Sequence, residues 1–178
     1  MDDATLAEEC VNGNIRAQRA LFDKYASKMM GVCLRYTKNT NEAEDVLQDG
    51  FIKVYQKLKD YKKEGSLEGW IRRIMVNTSL DQLRKNTRQL GDTAIDDVDY
   101  KVEGSSFVIE QLMADDLLKL IQQLPEGYKM VFNLYAIEGY SHQEIGETLG
   151  ITESTSKSQY SRARAYLRER LEQLNNGR

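Results

Sequence analysis

This chain of 178 residues predicts an all-α fold in two small helical domains, and three observations carry that reading. Helix formers dominate, and the apolar/polar alternation of β-strands is scarce. Apolar residues recur at spacings of three and four on both sides of the chain's middle, and proline occurs once, at Pro125. Between the two periodic regions, the stretch from Leu90 to Ser106 has no period, is rich in acids and holds two glycines, as a flexible linker would. The expected division is residues 1–90, an acidic linker at 91–106, and residues 107–178.

The composition excludes several classes. No run of about 18 apolar residues exists, so no membrane insertion is expected. The first ten residues, MDDATLAEEC, are acidic and lack the apolar core of a secretory signal, so a cytoplasmic protein is expected. Cys10, Cys33 and the single histidine, His142, form no metal-ligand spacing, so neither metal nor cofactor is expected. His142 falls in the first turn of a helix and is expected to be exposed. No glycine loop precedes a lysine in phosphate-cradling form, and nothing in the pattern points to catalysis. The net charge of −3 hides a segregation. Residues 1–91 carry 16 basic and 13 acidic side chains, residues 92–116 one and 8, and residues 117–178 8 and 7. Two mildly basic blocks thus flank an acidic band, and local faces rather than the total set phosphate affinity.

The elements follow in order. A short helix is expected from Thr5 to Val11, ending near Gly13. A long amphipathic helix over Ile15–Tyr36 buries Leu21, Phe22, Tyr25, Met29, Val32, Cys33 and Tyr36. Asn41 can cap a third helix whose first turn carries Glu42, Glu44 and Asp45, where the helix dipole favours acids. Its apolar stripe is Val46, Phe51, Val54, Tyr55 and Leu58, and its other face mixes Asp45, Gln48 and Asp49 with later lysines, a pattern that simple solvation also explains. The segment DYKKEGSLEG, residues 60–69, is a polar loop. A fourth helix runs from Leu67 to about Asn86, with Leu67, Ile71, Ile74, Met75 and Thr78 inward and Arg73, Asn77, Leu80 and Arg84 on another face. Trp70 at its start either joins the core or stacks an unstacked base. After the linker, Ser105 or Ser106 can cap a helix reaching Gln123, and Pro125 opens the next at a first-turn position. That helix would bury Met130, Val131, Leu134 and Tyr135.

The last two helices carry the clearest local signals. Ser141 can N-cap the first, with Glu144 completing a capping box. Gly150 suits a left-handed C-terminal residue, and Thr152 can cap the second helix. In that helix Ser156, Tyr160, Ala163, Leu167, Leu171 and Leu174 form one inward stripe, while Lys157, Ser161, Arg164 and Arg168 form a basic face. A short helix, a tight turn and a basic second helix make the helix-turn-helix plan, although an ordinary helical hairpin with a charged side has the same pattern.

Three segments then resemble one family, in the family's own order. NEAEDVLQDGFIKVY resembles the core-polymerase-binding helix of sigma-70-family factors. WIRRIMVNTSLDQLRK resembles the promoter −10 helix of the small extracytoplasmic-function (ECF) sigma factors. LPEGYKMVFNLYAIEGYSHQEIGETLGI and the following TESTSKSQYSRARAYLRERL resemble their −35-reading domain. The resemblance implies a factor that is not itself an enzyme, and that binds core RNA polymerase through its β′ clamp helices and β flap. It also implies promoter DNA and an anti-sigma factor as partners. By the same resemblance, Asp45, Gln48, Asp49, Phe51 and Lys53 would contact the polymerase. Lys63, Ser66, Trp70, Arg73, Asn77 and Arg84 would hold the melted −10 strand, and the loop Lys63 to Glu68 matches the family's base-capturing loop. Thr155, Lys157, Ser158, Ser161, Arg162 and Arg164 would meet the −35 duplex.

The chain departs from the family at Ser154 and Ser156, where glycine and valine are frequent, and at Gln159, where arginine is. Ser156 on an inward stripe is expected to weaken packing slightly. The rival reading is a stand-alone helix-turn-helix regulator whose N-terminal block senses a signal or dimerises.

Overall fold

The computed structural model describes residues 1–89 and 114–177, and every described element is helical. The chain divides into two compact units, Met1–Lys85 and Asn86–Arg178. The acidic linker at 91–106, and a cap at Ser105 or Ser106, lie outside the described residues.

The first unit holds four helices. Helix α1, Asp3–Val11, starts two residues before the expected Thr5, because the Asp2 carboxylate caps it by accepting the Thr5 N–H at 2.8 Å. Helix α2, Ile15–Leu34, is capped by Asn14, whose Oδ1 accepts the N–H groups of Arg16 and Ala17. It buries Leu21, Tyr25, Met29, Val32 and Cys33 as the spacing predicts, but Phe22 keeps 39% of its surface exposed at the edge of the stripe. Tyr36, just beyond the helix, is fully buried. Helix α3, Thr40–Lys57, is capped by Asn39 rather than Asn41. Asn39 Oδ1 accepts the Glu42 N–H at 2.9 Å, and the Glu42 carboxylate accepts the Lys38 N–H at 3.0 Å. A 3₁₀ turn over Leu58–Asp60 follows and packs on α1.

Helix α4, Leu67–Gln89, is capped by Ser66, whose Oγ accepts the Gly69 N–H at 3.0 Å. Leu67, Ile71, Met75, Val76, Leu80 and Leu83 are its buried face. Leu80 is therefore core at 1% exposure, not a member of the Arg73 face. Gly50 on α3 faces Met75 so closely that a Cβ there would stand 2.3 Å from the Met75 sulfur. The missing side chain lets α4 press directly onto α3. Polar links tie α2 to α3 and α4: Tyr55 Oη of α3 donates to the Gln18 carbonyl at 2.7 Å, and Lys28 Nζ meets Glu68 of α4 at 3.1 Å.

The second unit comprises α5 (Ala114–Gln123), α6 (Glu126–Phe132), α7 (His142–Leu149) and α8 (Glu153–Asn176). Its core joins Leu120, Ile121 and Leu124 to Tyr128 and Phe132, with Ala163, Tyr166 and Leu167 of α8 closing it. Pro125 is the cap of α6, with extended ψ of 142°, rather than its first helical residue. Helix α6 runs into a wide π-type turn over Asn133–Ile137, closed by the Glu138 N–H donating to the Asn133 carbonyl at 2.9 Å. Five residues per hydrogen-bonded loop shift the register of an α-helix by one. Tyr135, expected inside, is 38% exposed for that reason, while Tyr128 and Phe132 take the core positions. The inward stripe of α8 holds through Leu167, but Leu174 is 46% exposed and Leu171 only half-buried, so the last turns stand clear of the core.

Candidate nucleic-acid and polymerase interfaces

In the first unit, Trp70, Arg73 and Asn77 fall three and four apart along α4, and so share one face. Arg73 and Asn77 are exposed, and Trp70 is partly buried rather than fully enclosed. Its ring meets that of Tyr61 at 5.5 Å between centroids and 49°. Asp81 is the exposed residue that continues this line toward Arg84, and it accepts from the Arg84 guanidinium at 3.5 Å. Such an exposed pair contributes little and yields readily to a phosphate.

The loop before α4 is ordered by its own contacts. Tyr61 Oη donates to the Gly65 carbonyl at 2.9 Å. Lys63 has φ of +60°, and its ammonium pairs with Glu8 of α1. That hydrogen bond raises the Lys63 pKa. Ser66 is exposed; its Oγ accepts the capping N–H and keeps its O–H and a second lone pair for an outside partner.

On α3, Asp45, Gln48 and Asp49 are exposed on one face, as expected. Two residues of that set behave differently. Phe51 is 3% exposed, with its ring 4.8 Å from that of Phe22 and 6.2 Å from that of Tyr55. It supports the helix from inside and offers no surface to a partner. Lys53 leans toward α4, where its Nζ lies 3.8 Å from Asp81. The residue that completes the exposed face is Ile52, 48% exposed and one position along from Phe51. An isoleucine outside its own helix's apolar stripe was the available signal.

The second unit contains the helix-turn-helix. Ser141 Oγ accepts the Glu144 N–H at 3.1 Å, and the Glu144 carboxylate accepts the Ser141 N–H at 3.3 Å, completing the capping box. Gly150 ends α7 in the left-handed region, φ 71° and ψ 35°. Thr152 caps α8 by accepting the Thr155 N–H at 3.0 Å. The turn is so tight that a Cβ on Gly146 would lie 2.6 Å from the Ile151 carbonyl oxygen.

These contacts present the start of α8 to solvent. Ser154, Lys157 and Ser158 are exposed, and Thr155, Ser161, Arg162 and Arg164 are half-buried. Thr155 Oγ1 accepts from Thr152, and Ser158 Oγ donates to the Ser154 carbonyl, so both hydroxyls keep a further hydrogen-bonding role available. Lys157 lies 3.5 Å from Glu153, and the Arg164 guanidinium sits 5.9 Å from the Tyr160 ring centroid.

Behind that surface lies a polar–aromatic cluster that periodicity does not reveal. His142 is half-buried, not exposed. Its ring stacks on Tyr135 at 4.2 Å and 10°, and its Nδ1 lies 2.9 Å from Ser156 Oγ. Ser156 is fully buried, so this serine replaces apolar packing with a hydrogen bond between α7 and α8. Burial, and then the nearby Lys157, push the His142 pKa below its ordinary 6.5.

Among the described residues, no three metal-ligating side chains converge, and no helix is long and apolar enough to cross a membrane. The two thiols are buried, and burial lifts that of Cys33 to about 11.

Comparison with known proteins places these surfaces in context. Residues 21–89 match the Sigma-70 region 2 family and residues 114–167 match Sigma-70, region 4. The chain is 33% identical to the ECF RNA polymerase sigma factor SigE of Mycolicibacterium smegmatis, over 85% of this chain and 60% of that relative's length. It is 31% identical to the ECF RNA polymerase sigma factor SigW of Bacillus subtilis, over 86% of this chain and 88% of the relative. In fold it is similar to the sigma factor RpoE from Bartonella quintana, solved in complex with the anti-sigma factor NepR: TM-score 0.55, 23% identity, 86% of this chain and 96% of that one. With both region models matched in order, and one relative above 30% identity covered almost end to end, the chain belongs to the ECF sigma factors of the sigma-70 family.

Proposed function

We propose that this chain binds core RNA polymerase and directs it to promoters that it reads at two points, a melted −10 element and a −35 duplex. The observation that carries this reading is the line of Trp70, Arg73 and Asn77 on α4, where a partly exposed indole, an exposed cation and an exposed amide share one face. A base flipped from the duplex costs a few kcal/mol in lost stacking and pairing. Stacking on Trp70 and hydrogen bonds to Asn77 offset that cost, while Arg73, Lys63 and Arg84 neutralise phosphates. Ser66 acts first as a helix cap and only secondarily as a donor to the strand.

In the second unit, α8 enters the major groove with its N-terminal residues toward base edges. Lys157 and Ser158 stand furthest out and are assigned base contacts, with Thr155 beside them. Ser161, Arg162 and Arg164 follow the backbone. Asp45, Gln48, Asp49 and Ile52 form the surface for the polymerase clamp, an apolar centre within a polar rim. Residues 1–90 and 107–178 act as the two reading domains and 91–106 as their tether. The chain works in the cytoplasm with promoter DNA, the polymerase performs the synthesis, and an anti-sigma factor restrains it, as NepR partners RpoE in the similar structure.

Run-off transcription with purified core polymerase on a genomic fragment library tests this. Promoter-specific transcripts that share −35 and −10 elements are expected. Sequence-specific duplex binding by the free chain, with no transcripts added to core, would instead favour the stand-alone regulator.

A further inference from the structure

We propose that Glu8 of α1 holds Lys63 away from the nucleic-acid backbone, and so suppresses sequence-independent strand binding by the loop before α4. The inference rests on the reading of that loop as the strand-capturing element.

Three observations support it. Glu8 is not on a loose end. Helix α1 is capped by Asp2, its Asp3 accepts from Lys24 at 2.6 Å and from Tyr25 at 2.8 Å, and Leu6, Ala7 and Cys10 are buried beneath it. The Glu8 carboxylate is therefore presented from a fixed helix, and it meets the Lys63 ammonium across 55 positions of sequence. Lys63 is also fixed. Among the described residues it is the one non-glycine with positive φ, a conformation retained only where surrounding contacts enforce it. Finally, the pair is open to solvent, with the lysine side chain 50% and the glutamate 62% exposed.

A carboxylate and a phosphodiester are both anions that bind an ammonium. In the free chain Glu8 occupies the place a strand phosphate would take, and its charge repels that phosphate. An exposed pair is weak enough to be displaced. A strand that also stacks on Trp70 gains enough to displace Glu8, whereas a strand held by its backbone alone gains less. Glu8 is thus a positioning residue that acts through Lys63 and favours base-dependent over backbone-dependent capture.

The test measures binding of a fluorescein-labelled oligothymidylate to the full chain by anisotropy at low salt. Glu8→Gln should tighten binding by about two- to fivefold, the worth of one exposed ion pair. Lys63→Ala should weaken it, and Glu8→Gln should have no effect in the Lys63→Ala background. Glu9→Gln removes the same charge from a carboxylate that accepts from Asn14 at 2.9 Å, and should leave affinity unchanged. Equal tightening by Glu8→Gln and Glu9→Gln, or tightening that persists without Lys63, would show a plain charge effect and overturn the inference. So would unchanged or weaker binding by Glu8→Gln. If Lys63→Ala itself binds normally, the assignment of Lys63 as a strand contact falls, and the inference falls with it.

Discussion

The Nδ1 of His142 and the Oγ of Ser156 stand 2.9 Å apart, joining the first turn of α7 to the first turn of α8. This bond lies directly beneath the residues assigned to the −35 duplex, so it sets where they point. Ser156→Ala should destabilise the second unit by about 0.5–1.5 kcal/mol, the net worth of one hydrogen bond. His142→Ala should cost more, because it also removes the stack on Tyr135, itself worth about 0.5–1.5 kcal/mol beyond area burial. A double-mutant cycle followed by denaturant unfolding would measure the coupling, and purely additive losses would dissolve the link.

The same histidine makes the second unit sensitive to acid. Its folded-state pKa lies below 6.5, chiefly through burial and secondly through Lys157, with Glu153 acting in the opposite sense. The unfolded chain therefore takes up the proton first as pH falls. Stability from this group is complete above about pH 6.5 and is lost as pH drops through the lower folded value. Unfolding midpoints of the wild type and His142→Gln, compared between neutral and mildly acidic pH, should converge on acidification; parallel curves would remove His142 as the cause.

Two glycines of the helix-turn-helix should respond differently to alanine. At Gly146 a new Cβ would meet the Ile151 carbonyl oxygen at 2.6 Å, and a backbone atom cannot rotate aside. Gly146→Ala should cost near the upper end of the ~1–3 kcal/mol typical of overpacking, and displace α7 from α8. At Gly150 the space is open and only the left-handed backbone resists, so Gly150→Ala should cost about 1–2 kcal/mol and retain the turn. Thermal unfolding ranks the pair, and promoter-specific transcription with core polymerase should fail only for Gly146→Ala.

Neighbours on α3 should separate stability from partner binding. Phe51→Ala empties a core position and should cost about 3–5 kcal/mol. Ile52→Ala and Gln48→Ala alter an exposed face, and should change stability by no more than about 0.5 kcal/mol while weakening affinity for core polymerase. A competition assay against a labelled sigma factor checks this; normal affinity of Ile52→Ala would move the interface elsewhere.

The caps of the helix-turn-helix are legible because each side chain answers its own backbone. Ser141, Glu144, Gly150 and Thr152 need only their neighbours in sequence, and all four take the predicted roles. Asn39 and Asn41 are not separable by the same logic, since Glu42 and Glu44 stand three residues after them in turn, and only the folded chain shows Asn39 as the cap. Phe51 falls on the apolar stripe of α3 by spacing and is buried there, against the polymerase contact that the resemblance implies. Other features depend on distant contacts. The outward turn of Tyr135 follows from a π-type turn, which a 3.6-residue period cannot anticipate. Ser156 looked like a packing defect because its partner lies 14 residues earlier, on another helix. Leu80 lies about one residue around the helix from the Arg73 face, an angle that helical spacing alone does not separate.

Trp70 is the only tryptophan of the chain, and it lies half-open against Tyr61 where the −10 strand is expected. The molecule therefore carries its own optical label at that spot. Emission excited at the red edge of the indole band reports one environment, undiluted by a second indole. Strand capture, loop rearrangement and the kinetics of both can be followed in the unmodified protein, without attaching a dye.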